Sequence, residues 1–147
     1  MRRRARPKSK AQKLWDAQWT YCWVCGQEIE SGDGWLETHH IIPTGLCPRG
    51  RDVPTNWFRA CGRDAWNCHY LIESTPLVVP AALKKLTDPE TFDLAVLVDL
   101  AGMAPGAVTD AEVDAVIERL ERAGFVDATP EVAIELVQSE VTRCLMR

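Results

Sequence analysis

Glu37-Thr38-His39-His40-Ile41-Ile42-Pro43 decides how this chain is read, because of what flanks it. Upstream stands Cys22-Trp23-Val24-Cys25-Gly26; downstream follow Asn56, Cys61 and the pair Cys68-His69. The 147-residue sequence has three histidines, and all of them fall inside this block. A Cys-x-x-Cys pair sets two thiolates on one tight turn, close enough to share a tetrahedral ion. Gly26 lets the backbone close behind the second sulfur. The matching half is wider, with six residues between Cys61 and Cys68. The reading is a structural zinc on Cys22, Cys25, Cys61 and Cys68, with Cys47 as an alternative to either of the last two. Buried free thiols are the competing reading. A disulfide framework is disfavoured because no apolar signal segment precedes the block. A thioredoxin-like redox site would need a βαβ setting that the pattern lacks.

The histidine stretch alternates, ends in β-branched residues and meets a proline, which predicts a short strand from about Trp35. Neighbouring side chains on a strand point to opposite faces. His39 and His40 therefore do not share one ion easily; one can ligate while the other faces a substrate. Thr44 to Thr55, with Gly45, Pro48, Gly50 and Pro54, reads as a turn-rich connection to a second strand. Asn56 to Ala60 is expected as a helical turn or loop leading to Cys61.

The ordered set Cys-x-x-Cys, Glu-Thr-His-His-Ile-Ile-Pro, Asn56, Cys…Cys-His resembles the HNH endonucleases of the zinc-ribbon-supported ββα-metal type, of the small phage kind. The resemblance covers residues 20–72. It implies a β-hairpin packed on a helix around one divalent cation (Mg²⁺, Mn²⁺, Ni²⁺ or Zn²⁺) that contacts the scissile phosphate of DNA. It implies His39 as first metal ligand, His40 as general base, Asn56 as the residue that ties the hairpin loop, and His69 as closing ligand. The wider second cysteine pair departs from the family's pattern. The chemistry is coherent: a neutral imidazole takes a proton from water near pH 7. A divalent cation neutralises charge on the phosphate and on the departing oxygen.

The net charge of −4 is segregated. Through Ser74, 11 Lys and Arg face 8 Asp and Glu; from Thr75 on, 6 face 13. The basic arm carries Arg2, Arg3, Arg4, Arg6, Lys8 and Lys10, and reads as a phosphate-contacting segment or a solubilising tail. Arg49 and Arg51, with Arg59 and Arg63, are further candidates for phosphate contact. Ser9 to Gln18 reads as a helix with Leu14 and Trp15 on one side. All six tryptophans lie in the first 66 residues and are expected to fill a small core around the zinc rather than to stack on bases.

Beyond Tyr70 the pattern turns helical and acidic. Helices are expected around Ala81 to Leu86, from Asp88-Pro89-Glu90 to Gly102, from the capping box Thr109-x-x-Glu112 to Gly124, and from Thr129-Pro130 towards Arg147. Their apolar faces suit a protein partner, a second copy or the nuclease module. The sequence reading is thus an α+β chain: a basic arm and leading helix (1–19), an HNH core with a zinc knuckle (20–74) and an acidic helical extension (75–147). The expected activity is metal-dependent hydrolysis of DNA. The alternatives are a non-cutting zinc-stabilised DNA-binding module, or an accessory factor that recruits a DNA-packaging machine through its helical tail. No run is long enough to span a membrane, and the expected location is the cytoplasm, that of the host if phage-encoded.

Overall fold

The computed structural model describes residues 7–28, 36–62, 67–73 and 75–146. Arg2, Arg3, Arg4, Arg6, Trp35, Arg63 and Trp66 lie outside them. The described chain is α+β, mostly helical, with one two-stranded sheet. Helix α1 spans Lys10–Gln18 and opens on Ser9, whose hydroxyl accepts from the Gln12 amide at 3.1 Å. Trp15 is buried on this helix, but Leu14 is 62% exposed, so the two do not share a face as expected. Adjacent helical residues lie about 100° apart, and Trp15 takes the core side.

Strands β1 (Leu36–His40) and β2 (Trp57–Cys61) pair antiparallel, with His39 opposite Phe58 and Leu36 opposite Cys61. The expected helical turn or loop at 56–60 is therefore a strand. Trp57, Phe58 and Ala60 are all buried, so β2 is covered on both faces and carries no alternation to betray it. Short α2 (Cys68–Glu73) follows and packs against β2.

Four longer elements complete the chain. Helix α3 spans Val78–Thr87, four residues more than the stretch expected as helical. Asp88 does not open a helix; its amide closes α3 on Lys84 O at 2.7 Å. Helix α4, Leu94–Leu100, starts instead at Asp93, whose carboxylate accepts from the Val96 amide. Helix α5, Asp110–Arg122, has the expected capping box of Thr109 and Glu112, and Gly124 at φ 81° ends it. Helix α6, Pro130–Leu145, is capped by Thr129. It is clamped to α5 by Arg119, which grips the buried Glu140 carboxylate at 2.8 and 2.9 Å. No helix among the described residues is long and apolar enough to cross a membrane.

One apolar core runs from Trp15 and Trp23 through Trp57 and Phe58 to Leu83, Val113 and Val137, without a break at position 75. The link is Lys84, which is fully buried on α3. Its ammonium donates to the carbonyls of Pro54 (2.9 Å) and Trp57 (2.8 Å) and pairs with Asp88 at 3.2 Å. The rings of Trp15 and Trp23 lie 4.8 and 5.2 Å away, close enough for cation–π attraction. Asp88 also accepts from Trp15 Nε1 at 2.9 Å, so helix α1, the hairpin and α3 meet at one buried ion pair.

Burial pushes the Lys84 ammonium down to about 8 from 10.5, against the pull of Asp88. Between those values the unfolded chain binds more protons than the folded one, so this group adds stability as pH rises through the window. Lys84→Met leaves Asp88 buried without its cation and should cost roughly 3–5 kcal/mol. Urea titrations should show that loss at pH 7. They should also show that the variant lacks the wild-type gain between pH 8 and 10.

Candidate metal centre and histidine site

The knuckle is built by local backbone chemistry. The Gly26 amide returns to Cys22 O at 2.9 Å, and Gly26 sits at φ 75°, a left-handed turn that suits glycine. The Trp23 amide donates to Arg59 O at 2.9 Å, which lays the knuckle on β2. Cys61 ends that strand and Cys68 begins α2. The result gathers Cys22, Cys25, Cys61 and Cys68 with every sulfur within 4.8 Å of the others, all buried. Cys25 Sγ and Cys61 Sγ are 3.9 Å apart. A tetrahedral zinc with bonds of about 2.3 Å separates its sulfurs by about 3.8 Å, so the four cysteines could hold a metal such as zinc. Cys47 and Cys144 stand outside the group.

The four thiols perturb one another. The neighbouring thiols hold the Cys61 sulfur far below the ordinary thiol range, because they donate to it. The same contacts push Cys25 and Cys68 well above it. Four buried sulfurs do not all ionise on their own; a bound dication is what makes four thiolates compatible. The Cys68 amide also donates to Cys61 Sγ at 3.5 Å, support of the kind a thiolate ligand receives.

The cluster fixes the start of α2, and the next residue is His69. Its ring lies 4.2 Å from that of His39, centroid to centroid, so β1 and α2 bring two imidazoles together. His39 is 7% exposed, and burial, helped by His69 and His40, pushes it down to about 4. It is neutral near pH 7, with a lone pair to offer. His69 Nδ1 is 2.6 Å from Glu37 Oε2. Glu73, one helical turn on, brings a carboxylate oxygen to 3.9 Å from His69 Nε2. Glu37 and Glu73 were missed in the sequence; the signal for Glu73 was its place four residues after His69, on one helix face.

His40 closes β1 and is half-buried. Its Nε2 meets the Arg51 carbonyl at 3.0 Å. A carbonyl only accepts, so Nε2 carries the hydrogen and the neutral ring keeps its lone pair on Nδ1. Asn56, fully buried, ties the intervening loop: Oδ1 accepts from the Ile42 amide at 2.7 Å, and Nδ2 donates to Ile42 O and Gly50 O at 3.0 and 3.1 Å. A Cβ on Gly50 would meet Asn56 Nδ2 at 2.9 Å, so the turn accepts no side chain there without giving way.

The expected phosphate-contact residues have separate fates. Lys8 pairs with Asp16 at 2.8 Å, and Lys10 is exposed at the start of α1. Arg49 pairs with Asp99 at 3.0 Å on the surface. Arg51 donates to Pro7 O at 2.7 Å, which holds the root of the basic arm beside the His40 loop. Arg59 is internal: it donates to Trp19 O and to Thr38, whose hydroxyl in turn donates to Asp16. Arg2, Arg3, Arg4, Arg6 and Arg63 lie outside the described residues. No protein-family model, curated protein or solved structure matches the chain.

Purified protein should carry one zinc per chain by elemental analysis. Structural zinc contributes roughly 10–16 kcal/mol in isolated zinc peptides, so Cys25→Ser should lose both metal and cooperative unfolding. Cys47→Ser should keep both; zinc loss in that variant would place Cys47 among the ligands instead.

Proposed function

We propose that this chain is an HNH-type endonuclease that hydrolyses DNA phosphodiester bonds with one divalent cation. The observation that carries this reading is the meeting of His39 and His69 beside a His40 whose free nitrogen is Nδ1. The hairpin followed by α2 matches the order of the ββα-metal nucleases that the sequence resembles. His39 and His69, with Glu73 a turn away, are the residues that would hold the cation. When bound, a divalent ion there supplies charge neutralisation at the phosphate and the departing oxygen.

The remaining work belongs to the chain. Nδ1 of His40 takes a proton from the attacking water, while the Arg51 carbonyl keeps the ring in the tautomer that can do so. Asn56 titrates nothing; it holds Ile42 and Gly50 so that the loop carrying Arg51 stays in place. The basic arm adds phosphate contacts through Arg2, Arg3, Arg4 and Arg6, with Lys8 and Lys10 at its root.

A second reading, a zinc-stabilised DNA-binding module that does not cut, is favoured by one fact. Among the described residues the four cysteines are the one group of three or more metal-binding side chains. Plasmid incubated with Mg²⁺, Mn²⁺, Ni²⁺ or Zn²⁺ separates the two. His40→Ala should lower the cutting rate about 10²–10⁴-fold, with zinc content and DNA affinity near wild type. His39→Ala and His69→Ala should regain part of their activity with excess cation. Replacing Arg2 to Arg6 by Ala should weaken DNA binding and flatten its salt dependence, with little effect on the rate at saturating DNA. A wild-type protein that cuts under none of these cations, or His40→Ala cutting at the wild-type rate, leaves the non-cutting module as the better account.

A further inference from the structure

Glu37 lies on β1 two residues before His39, and its side chain runs towards the end of the hairpin where β2 gives way to Gly62. There its carboxylate does two things. It receives His69 Nδ1 at 2.6 Å, and it fills the space where Gly62 has no side chain. A Cβ built on Gly62 would stand 2.8 Å from Glu37 Oε1 and 3.1 Å from its carboxyl carbon. Gly62 does not have a positive φ, so its backbone conformation does not call for glycine. The room that it leaves is taken by the carboxylate, and a side chain there would push the carboxylate aside.

A carboxylate only accepts, so the bond fixes the hydrogen of His69 on Nδ1. In the neutral ring the lone pair then sits on Nε2, the nitrogen that also faces Glu73. Histidines that bind metals are regularly held this way, the far nitrogen given to a carboxylate that sets both tautomer and ring angle. We propose that Glu37 is a positioning residue for His69, and that Gly62 is kept bare to admit it. This rests on the endonuclease reading of the histidine pair. The Glu37 side chain is 47% exposed, so its role is in orienting the ring rather than in holding the fold together.

The test uses the full-length zinc-loaded chain, with Mn²⁺ alone as the probe in calorimetry. Glu37→Ala should weaken Mn²⁺ binding about 10–100-fold. Glu37→Gln should lose less, because its amide oxygen still accepts from Nδ1. Gly62→Ala should weaken binding in the wild-type background and cost nothing further beside Glu37→Ala. Long-range ¹H–¹⁵N correlation on the cation-free protein supplies a readout that needs no activity: His69 should carry its hydrogen on Nδ1 in the wild type and lose that preference in Glu37→Ala.

An unchanged tautomer together with wild-type Mn²⁺ affinity in Glu37→Ala would overturn the proposal. Equal losses in Gln and Ala would also overturn it, since they would mark Glu37 as a direct ligand. If the wild type cuts no plasmid while the His69 tautomer still follows Glu37, the nuclease reading falls and the positioning role stands. If plasmid is cut normally and the ring ignores Glu37, the reverse holds.

Discussion

Four buried sulfurs in mutual contact are the constraint on which the rest of this molecule depends. They come from three places in the chain: a tight turn, the end of a strand and the start of a helix. None of these pieces is stable alone, since a two-residue-wide knuckle and a lone hairpin bury too little apolar surface. Gathered at four sulfurs that could hold one metal ion, they become a frame. The Trp23 amide on Arg59 O then lays the frame against β2, and the tryptophans fill the space behind it.

The histidine site inherits its geometry from that frame. Cys68 and His69 are neighbours, so fixing a sulfur fixes the first turn of α2 and with it an imidazole. Cys61 stands opposite Leu36 in the sheet, and three pairs further along His39 stands opposite Phe58. The hairpin is thus a short ruler between the cysteine end and the histidine end. The two rings are held by opposite nitrogens: His69 gives Nδ1 to Glu37, while His40 gives Nε2 to Arg51 O. Different nitrogens are engaged because different partners stand behind them, a carboxylate in one case and a peptide carbonyl in the other.

Much of this was legible in the residues, for local reasons. The thiol set could be read from spacing, the α5 cap from Thr109 and Glu112, and the α6 start from Thr129-Pro130. Strand β2 was not legible because Trp57, Phe58 and Ala60 are buried together, which erases the period of two. Asp88-Pro89 looked like a helix opener, yet Asp88 answers to Trp15 and Lys84, partners that no window around it contains. Lys84 itself reads as an ordinary surface lysine beside Lys85; only the fold reveals the carbonyls of Pro54 and Trp57 waiting for it. Glu37 was passed over for the same reason, its partner His69 lying 32 residues away.

The bond from Trp15 to Asp88 joins residues 73 positions apart. A chain made from its N-terminus therefore emerges with its aromatic half and its first cysteine pair well before it has anything to close them on. Cys68 must appear before the sulfurs can be gathered, and Lys84 and Asp88 must appear before Trp15 and Trp23 can be covered. Contacts of such separation form late, and exposed aromatic surface is what invites association in the meantime. The charged arm precedes the aromatic half in the chain, so a run of like charges is already made when the sticky segment emerges and stays joined to it throughout that wait.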